Sequence, residues 1–126
     1  METRQLETIQ KAHKLNNVFA QGEIGACGER SEYAVVRPCA DDKTAGEMIA
    51  VIQFQHGPRD QPGSVSGVLD VDLLEIERDR LTAFQDSKLA CHENMMALQH
   101  VEAALLYLNK RVEDRAERGS LGTMKP

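Results

Sequence analysis

Four cations crowd one short stretch late in the chain: Lys110, Arg111, Arg115 and Arg118. On a helix, Arg111 and Arg115 fall one turn apart on the same side. A guanidinium fork matches phosphate oxygens two at a time, so this spacing suits a clamp for a phosphorylated ligand. It also suits a solvated helix end, where cations favour the dipole and pair with Glu113, Asp114 and Glu117. Phe84 and Asn94 form a second pair of interest. A ring and an amide can stack a base and hydrogen-bond its edge. Read singly, Phe84 is a core residue and Asn94 a cap or solvated side chain. The residues alone leave both choices open.

Other chemistries lack their constellations. His92 and His100 are eight residues apart, about two helical turns, so one metal ion cannot bridge them. No HExxH, CxxC, GxGxxG or GxxxxGK[ST] occurs. Cys91 and His92 are neighbours, and adjacent helix residues point in different directions, so they make no nucleophile–base pair. No catalytic residue, metal or cofactor is expected.

Composition narrows the partners. The 126-residue chain carries a net charge of −5, which disfavours general binding to nucleic-acid polymers. No apolar run approaches a membrane span. The first residues, METRQLETIQKAHKLNN, are too polar for a signal peptide. Cys27, Cys39 and Cys91 are an odd set without ligand spacing, as suits buried free thiols in a reducing cytoplasm.

The elements that must position these residues follow from patterning. A single domain over 1–126 is expected, of α+β class. A small N-terminal antiparallel β-sheet lies within 18–67, and a long antiparallel α-helical hairpin follows within 68–119. The segment Met1 to Asn17 reads as a short helix or an edge segment. The runs EYAVVR (32–37) and EMIAVIQFQ (47–55) read as strands, with DDKTAG (41–46) as the turn between them. Residues 56–67, HGPRDQPGSVSG, read as a loop holding Arg59. Leu69, Leu73, Ile76, Leu81 and Phe84 form one helical stripe. Cys91, Met95, Leu98, Val101, Leu105, Leu108 and Val112 form another. Ser87 is the expected N-cap of the second helix and Gly119 its stop. Met96, Ala103, Leu106 and Tyr107 lie outside that second stripe, so another chain is expected to cover them. The tail SLGTMKP reads as loose.

The stretch HENMMALQHVEAALLYLNKRVEDRAERG (92–119) resembles the hairpin shared by phage anti-CBASS and Thoeris anti-defence proteins. Leu108, Arg111, Arg115, Arg118 and Gly119 fit its terminal pattern of leucine, three spaced arginines and glycine. The following GSLGT departs from it. IQFQHGP (52–58), DLLEIERDRL (72–81) and AFQDSKLACHEN (83–94) point to the type-one Thoeris anti-defence family within that group. The resemblance implies a phage protein of the host-cell cytoplasm that sequesters glycocyclic ADP-ribose and does not degrade it. It implies that Phe84 and Asn94 meet the adenine end and that Arg111 and Arg115 meet the phosphates. It also implies a second site for CBASS cyclic di- and trinucleotides that includes Arg59. The other basic position of that site falls at Asp86 here, where an acid would repel phosphate, with Lys88 two residues on. Hexamers built from dimers are implied as well. An oligomeric hairpin or adaptor without a small-molecule ligand is the alternative.

Geometry adds one step. Asn94 and Arg111 are 17 residues apart on one helix, which is about 25 Å at 1.5 Å per residue. A ligand of ADP-ribose size cannot readily span that within one chain. An antiparallel second chain would bring its Arg111 end beside the Phe84–Asn94 tip of the first, giving two equivalent sites per twofold dimer. Arg111 and Arg115 are expected at the hairpin base with exposed heads.

Overall fold

Valine, isoleucine, tyrosine and phenylalanine suit a pleated, half-buried surface, and the first half of the chain uses them in that way. The computed structural model describes residues 3–39 and 46–123. The chain divides into two compact units, Met1–Val68 and Leu69–Pro126.

The first unit is a four-stranded antiparallel sheet in the order β1-β2-β3-β4. Its strands are β1 (Arg4–Gln5), β2 (Asn17–Ile24), β3 (Arg30–Arg37) and β4 (Glu47–Gln53). Phe19 stands opposite Ala34, and Ala34 opposite Val51. The fully enclosed apolar side chains among the described residues are small: Ala20 at 0% and Ala34 at 2% exposure. Tyr33 meets the Phe54 ring edge to face, with centroids 5.6 Å apart. Met48, Ile49 and Val51 on β4 stay exposed.

Both sequence-derived strands are present, and the sheet is larger than expected. The segment before Asn17 supplies an edge strand, β1. β2 was not legible, because Gln21, Gly22 and Glu23 interrupt its apolar run. The pairing of β2 with β3 slips between Gln21 and Ile24. Gly22 sits in that bulge at φ +80, and a Cβ there would lie 2.7 Å from Ser31 Oγ and 2.9 Å from Glu32 Cβ. The Ser31 hydroxyl accepts from the Glu23 N–H at 2.8 Å and so closes the irregularity. The expected DDKTAG turn lies, but for Gly46, outside the described residues. Cys27 and Cys91 are exposed, which corrects the expectation of buried thiols: each sits at a turn or helix start where little packs on it.

The second unit is a helical hairpin of α1 (Asp70–Gln85) and α2 (His92–Glu117). Leu69 cannot cap α1 with its own side chain. Asp72 does part of that work, its carboxylate accepting from the Leu69 N–H at 2.8 Å. The N-cap of α2 is Cys91, whose sulfur accepts from the Asn94 N–H at 3.4 Å. Ser87 is therefore not that cap. Its hydroxyl donates to the Phe84 carbonyl at 2.7 Å and accepts from the Leu89 N–H at 3.1 Å, so it closes α1 instead.

Arg78 and Glu102 face each other across the hairpin at 3.0 Å. The hydrogen bond to Glu102, then the charges of Glu102 and Glu75, hold the Arg78 guanidinium above its ordinary range. On α1, Val71, Leu73, Leu74, Leu81 and Phe84 are half-buried, whereas Ile76 and its predecessor Leu69 are exposed. The expected stripe is thus shifted: Arg78 takes a facing position and Ile76 turns away. On α2, Leu98, Val101, Leu105 and Leu108 are half-buried as expected, and Met95 and Val112 are not. No residue of either helix is fully buried. Among the described residues no helix is long and apolar enough to cross a membrane.

Candidate ligand-binding site

The sequence singles out two pairs of side chains, and the hairpin puts them at opposite ends. Because α1 and α2 run antiparallel, the last turn of α1 and the first turn of α2 meet at the link of residues 86–91. Phe84 and Asn94 therefore share that tip. Phe84 is half-buried, and the Arg80 guanidinium one turn earlier lies 5.6 Å from the ring centroid. The tip backbone is fixed: the Gln85 amide oxygen accepts from the Cys91 N–H at 3.1 Å, and the Ser87 carbonyl from the Ala90 N–H at 3.1 Å. Asn94 is half-buried, and its backbone is held by the Cys91 cap.

The cations sit near the far end of α2. That helix is unbroken from His92 to Glu117, so the separation of about 25 Å between Asn94 and Arg111 stands. The hairpin places Phe84 and Asn94 toward its linked end and Arg111 and Arg115 toward the far end of α2, and it does not bring the two pairs together in one chain.

The four cations are not equivalent. Lys110 pairs with Asp114 one turn on, at 3.1 Å. Arg118 Nε donates to the Asp114 carbonyl at 3.4 Å. Arg111 is exposed, and among the described residues it makes no hydrogen bond or ion pair. Arg115 is half-buried, and its Nη2 donates to the carbonyls of Ser120 at 2.8 Å and Thr123 at 2.7 Å. Its head is thus not exposed as expected. The same contacts overturn the loose tail for residues 120–123, Ser120 being only 5% exposed; the rest of that tail lies outside the described residues. Gly119, at φ +72, lets the chain reverse there. The Ser120 N–H then reaches the Arg115 carbonyl at 2.9 Å and the Gly119 N–H the Ala116 carbonyl at 3.2 Å. This is the Schellman closure of a helix end.

A groove of about 640 Å³ runs between the helices, lined by Val71, Glu75, Arg78, Glu102, Leu105, Leu106, Asn109 and Val112. None of the four site residues lines it. The sequence reading missed the Arg78–Glu102 pair in its lining. The signal was available: Arg78 stands four residues after Leu74 and three before Leu81, where an apolar side chain would continue the stripe. Arg80 was missed too, although its four-residue spacing to Phe84 is the helical one.

Arg59 lies in the first unit. Its Nε donates to the Gln55 amide oxygen at 3.0 Å and its Nη2 to the Gly67 carbonyl at 3.1 Å, which ties the 55–67 loop together. Lys88 and Asp86 are exposed in the second unit. Among the described residues no group of three or more His, Cys, Asp or Glu side chains is placed to hold a metal ion.

A family model, the Acb2/Tad1 hairpin domain, matches residues 48–113, just over half of the chain. Its span includes Arg59, Phe84, Lys88, Asn94 and Arg111 and stops two residues short of Arg115. A protein named Thoeris anti-defense 1, from Bacillus phage SBSphiJ7, is 43% identical over 79 residues, covering 63% of this chain and 54% of that protein. The chain thus spans about half the length of the curated relative it matches.

Proposed function

The chain belongs to the Acb2/Tad1 hairpin family, and from that premise we propose that it is a phage anti-defence sponge. In this reading it acts in the host cytoplasm, where it binds glycocyclic ADP-ribose, withholds it from the Thoeris effector and releases it chemically unchanged. Phe84 stacks the adenine and Asn94 hydrogen-bonds its edge. Arg111 and Arg115 hold the pyrophosphate through charge-assisted bonds. The relative from Bacillus phage SBSphiJ7 supports the Thoeris connection by its name.

One observation carries the reading furthest: Asn94 and the Arg111–Arg115 pair stand near opposite ends of one unbroken helix. Such an arrangement becomes a site when a second copy lies antiparallel, each chain lending its arginines to the other's tip. The exposed apolar surface of α2 supports that pairing, since Leu106 is 71% and Tyr107 77% exposed. Adjoining exposed apolar side chains suit burial against a second chain. The dimer is the building block, and hexamers are its proposed assembly. For cyclic di- and trinucleotides of CBASS, Arg59 would have to exchange Gln55 and Gly67 for phosphate.

The test is calorimetric titration with glycocyclic ADP-ribose, then heating and chromatography of the released ligand. Tight binding with intact ligand recovered supports the sponge. Recovery of a cleaved product points to an enzyme. No heat of binding with glycocyclic ADP-ribose or with cyclic di- and trinucleotides leaves an oligomeric adaptor. Sedimentation of the free protein as a monomer would remove the composite site.

A further inference from the structure

The two arginines assigned to phosphate differ in one respect that the fold imposes. Arg111 is exposed and, among the described residues, uncommitted, whereas Arg115 is held by the chain that follows it. We propose that residues 119–123 form a latch that sets the plane of the Arg115 guanidinium, with Gly119 as the positioning residue that lets the latch close. The proposal rests on the reading that Arg115 meets a ligand phosphate.

The latch is built from backbone. Nη2 carries two hydrogens, and each has a carbonyl at short range: Ser120 at 2.8 Å and Thr123 at 2.7 Å. Two fixed acceptors on one nitrogen define the guanidinium plane as well as its place. The turn is tied back to the same residue, since the Arg115 carbonyl accepts from the N–H groups of Ser120 at 2.9 Å and Leu121 at 3.2 Å. Thr123 in turn donates its N–H to the Ser120 carbonyl at 3.1 Å. Arg115 is thus bonded at both its main chain and its side chain to one short turn. An arginine on an open helix surface samples many rotamers and loses that freedom on binding. A guanidinium already held in one orientation loses less, and such preorganisation strengthens binding without any new ligand contact. The closure requires the left-handed backbone at Gly119, where φ is +72. A β-branched residue is strained there, whereas asparagine tolerates it.

The experiment compares Gly119→Val, Gly119→Asn, Ser120→Pro and Arg115→Ala in the full chain. Each is titrated with glycocyclic ADP-ribose. Helix content is followed by circular dichroism and the Arg115 side-chain N–H resonances by NMR. Gly119→Val should weaken binding about three- to tenfold, the cost of ordering one long side chain on binding, with helix content unchanged. Its Arg115 N–H signals should lose their protection from exchange. Ser120→Pro removes the N–H that closes the turn and should act alike. Gly119→Asn should restore both affinity and protection, which a merely bulky disturbance would not. If Gly119→Val and Ser120→Pro bind within twofold of wild type while Arg115→Ala loses binding, the latch is refuted and the phosphate reading survives. If Arg115→Ala binds as wild type, the phosphate reading fails and the latch falls with it.

Discussion

Phe84 offers the sharpest test of the base-stacking assignment, because a ring can be removed there without emptying its place. The side chain is half-buried on α1, and Arg80 lies 5.6 Å from the ring centroid. Phe84→Leu keeps most of the aliphatic burial, and a swap of this kind costs less than about 1.5 kcal/mol of stability. It removes the π-face altogether. Stacking of a base on an aromatic side chain contributes about 1–3 kcal/mol by substitution. At about 1.4 kcal/mol per factor of ten, Kd should rise roughly five- to 150-fold. Calorimetry at fixed salt measures the change, and thermal unfolding of the same sample shows whether the hairpin is intact. Phe84→Tyr keeps the ring and should stay close to wild type. Arg80→Ala supplies the control for the guanidinium: it should lose the cation–π contact, about 0.5–1 kcal/mol at an exposed site, and much less affinity than Phe84→Leu. A wild-type Kd for Phe84→Leu would refute the stacking platform and return Phe84 to a packing role.

Arg111→Ala should leave stability within about 0.5 kcal/mol, since the side chain is exposed and, among the described residues, unbonded. It should weaken binding by about 1.5–3 kcal/mol and flatten its salt dependence; unchanged affinity would remove Arg111 from the clamp. Cys91→Ser places a stronger acceptor than sulfur at the α2 N-cap, where the Asn94 N–H now reaches Sγ at 3.4 Å. It should raise stability by about 0.5–1 kcal/mol, and a lower melting temperature would contradict the cap. Gly22→Ala forces a Cβ to within 2.7 Å of Ser31 Oγ at a φ of +80. A loss of about 1–3 kcal/mol in denaturant unfolding is expected, and a neutral result would mean that the bulge relaxes freely.

The helices were the legible part of the chain. Their apolar residues recur at helical spacing, and Gly119 marks the stop as a glycine past a helix end should. The strands β3 and β4 were legible from their β-branched runs. β2 was hidden because a bulge inserts Gln21, Gly22 and Glu23 into its pattern, and the pairing with Ser31 and Glu32 that rescues it comes from the next strand. The α2 cap was misread because Ser87 is the better cap by residue type, yet it is spent on closing α1. The candidate residues could be named from spacing and resemblance. Their unequal surroundings could not, because the Arg115 bonds depend on where Gly119 turns the chain.

The unbroken α2 also bears on how variants behave in mixtures. If a site takes its tip from one chain and its arginines from another, an Asn94 defect and an Arg111 defect in separate chains need not fall in the same site. Hybrid dimers of the two variants would hold one doubly broken site and one restored to wild-type residues. Neither variant binds by itself, yet an equal mixture with free exchange would recover about a quarter of the sites. Complementation of this sort is the signature of a site that joins Asn94 of one chain to Arg111 of another, about 25 Å along the helix from its own.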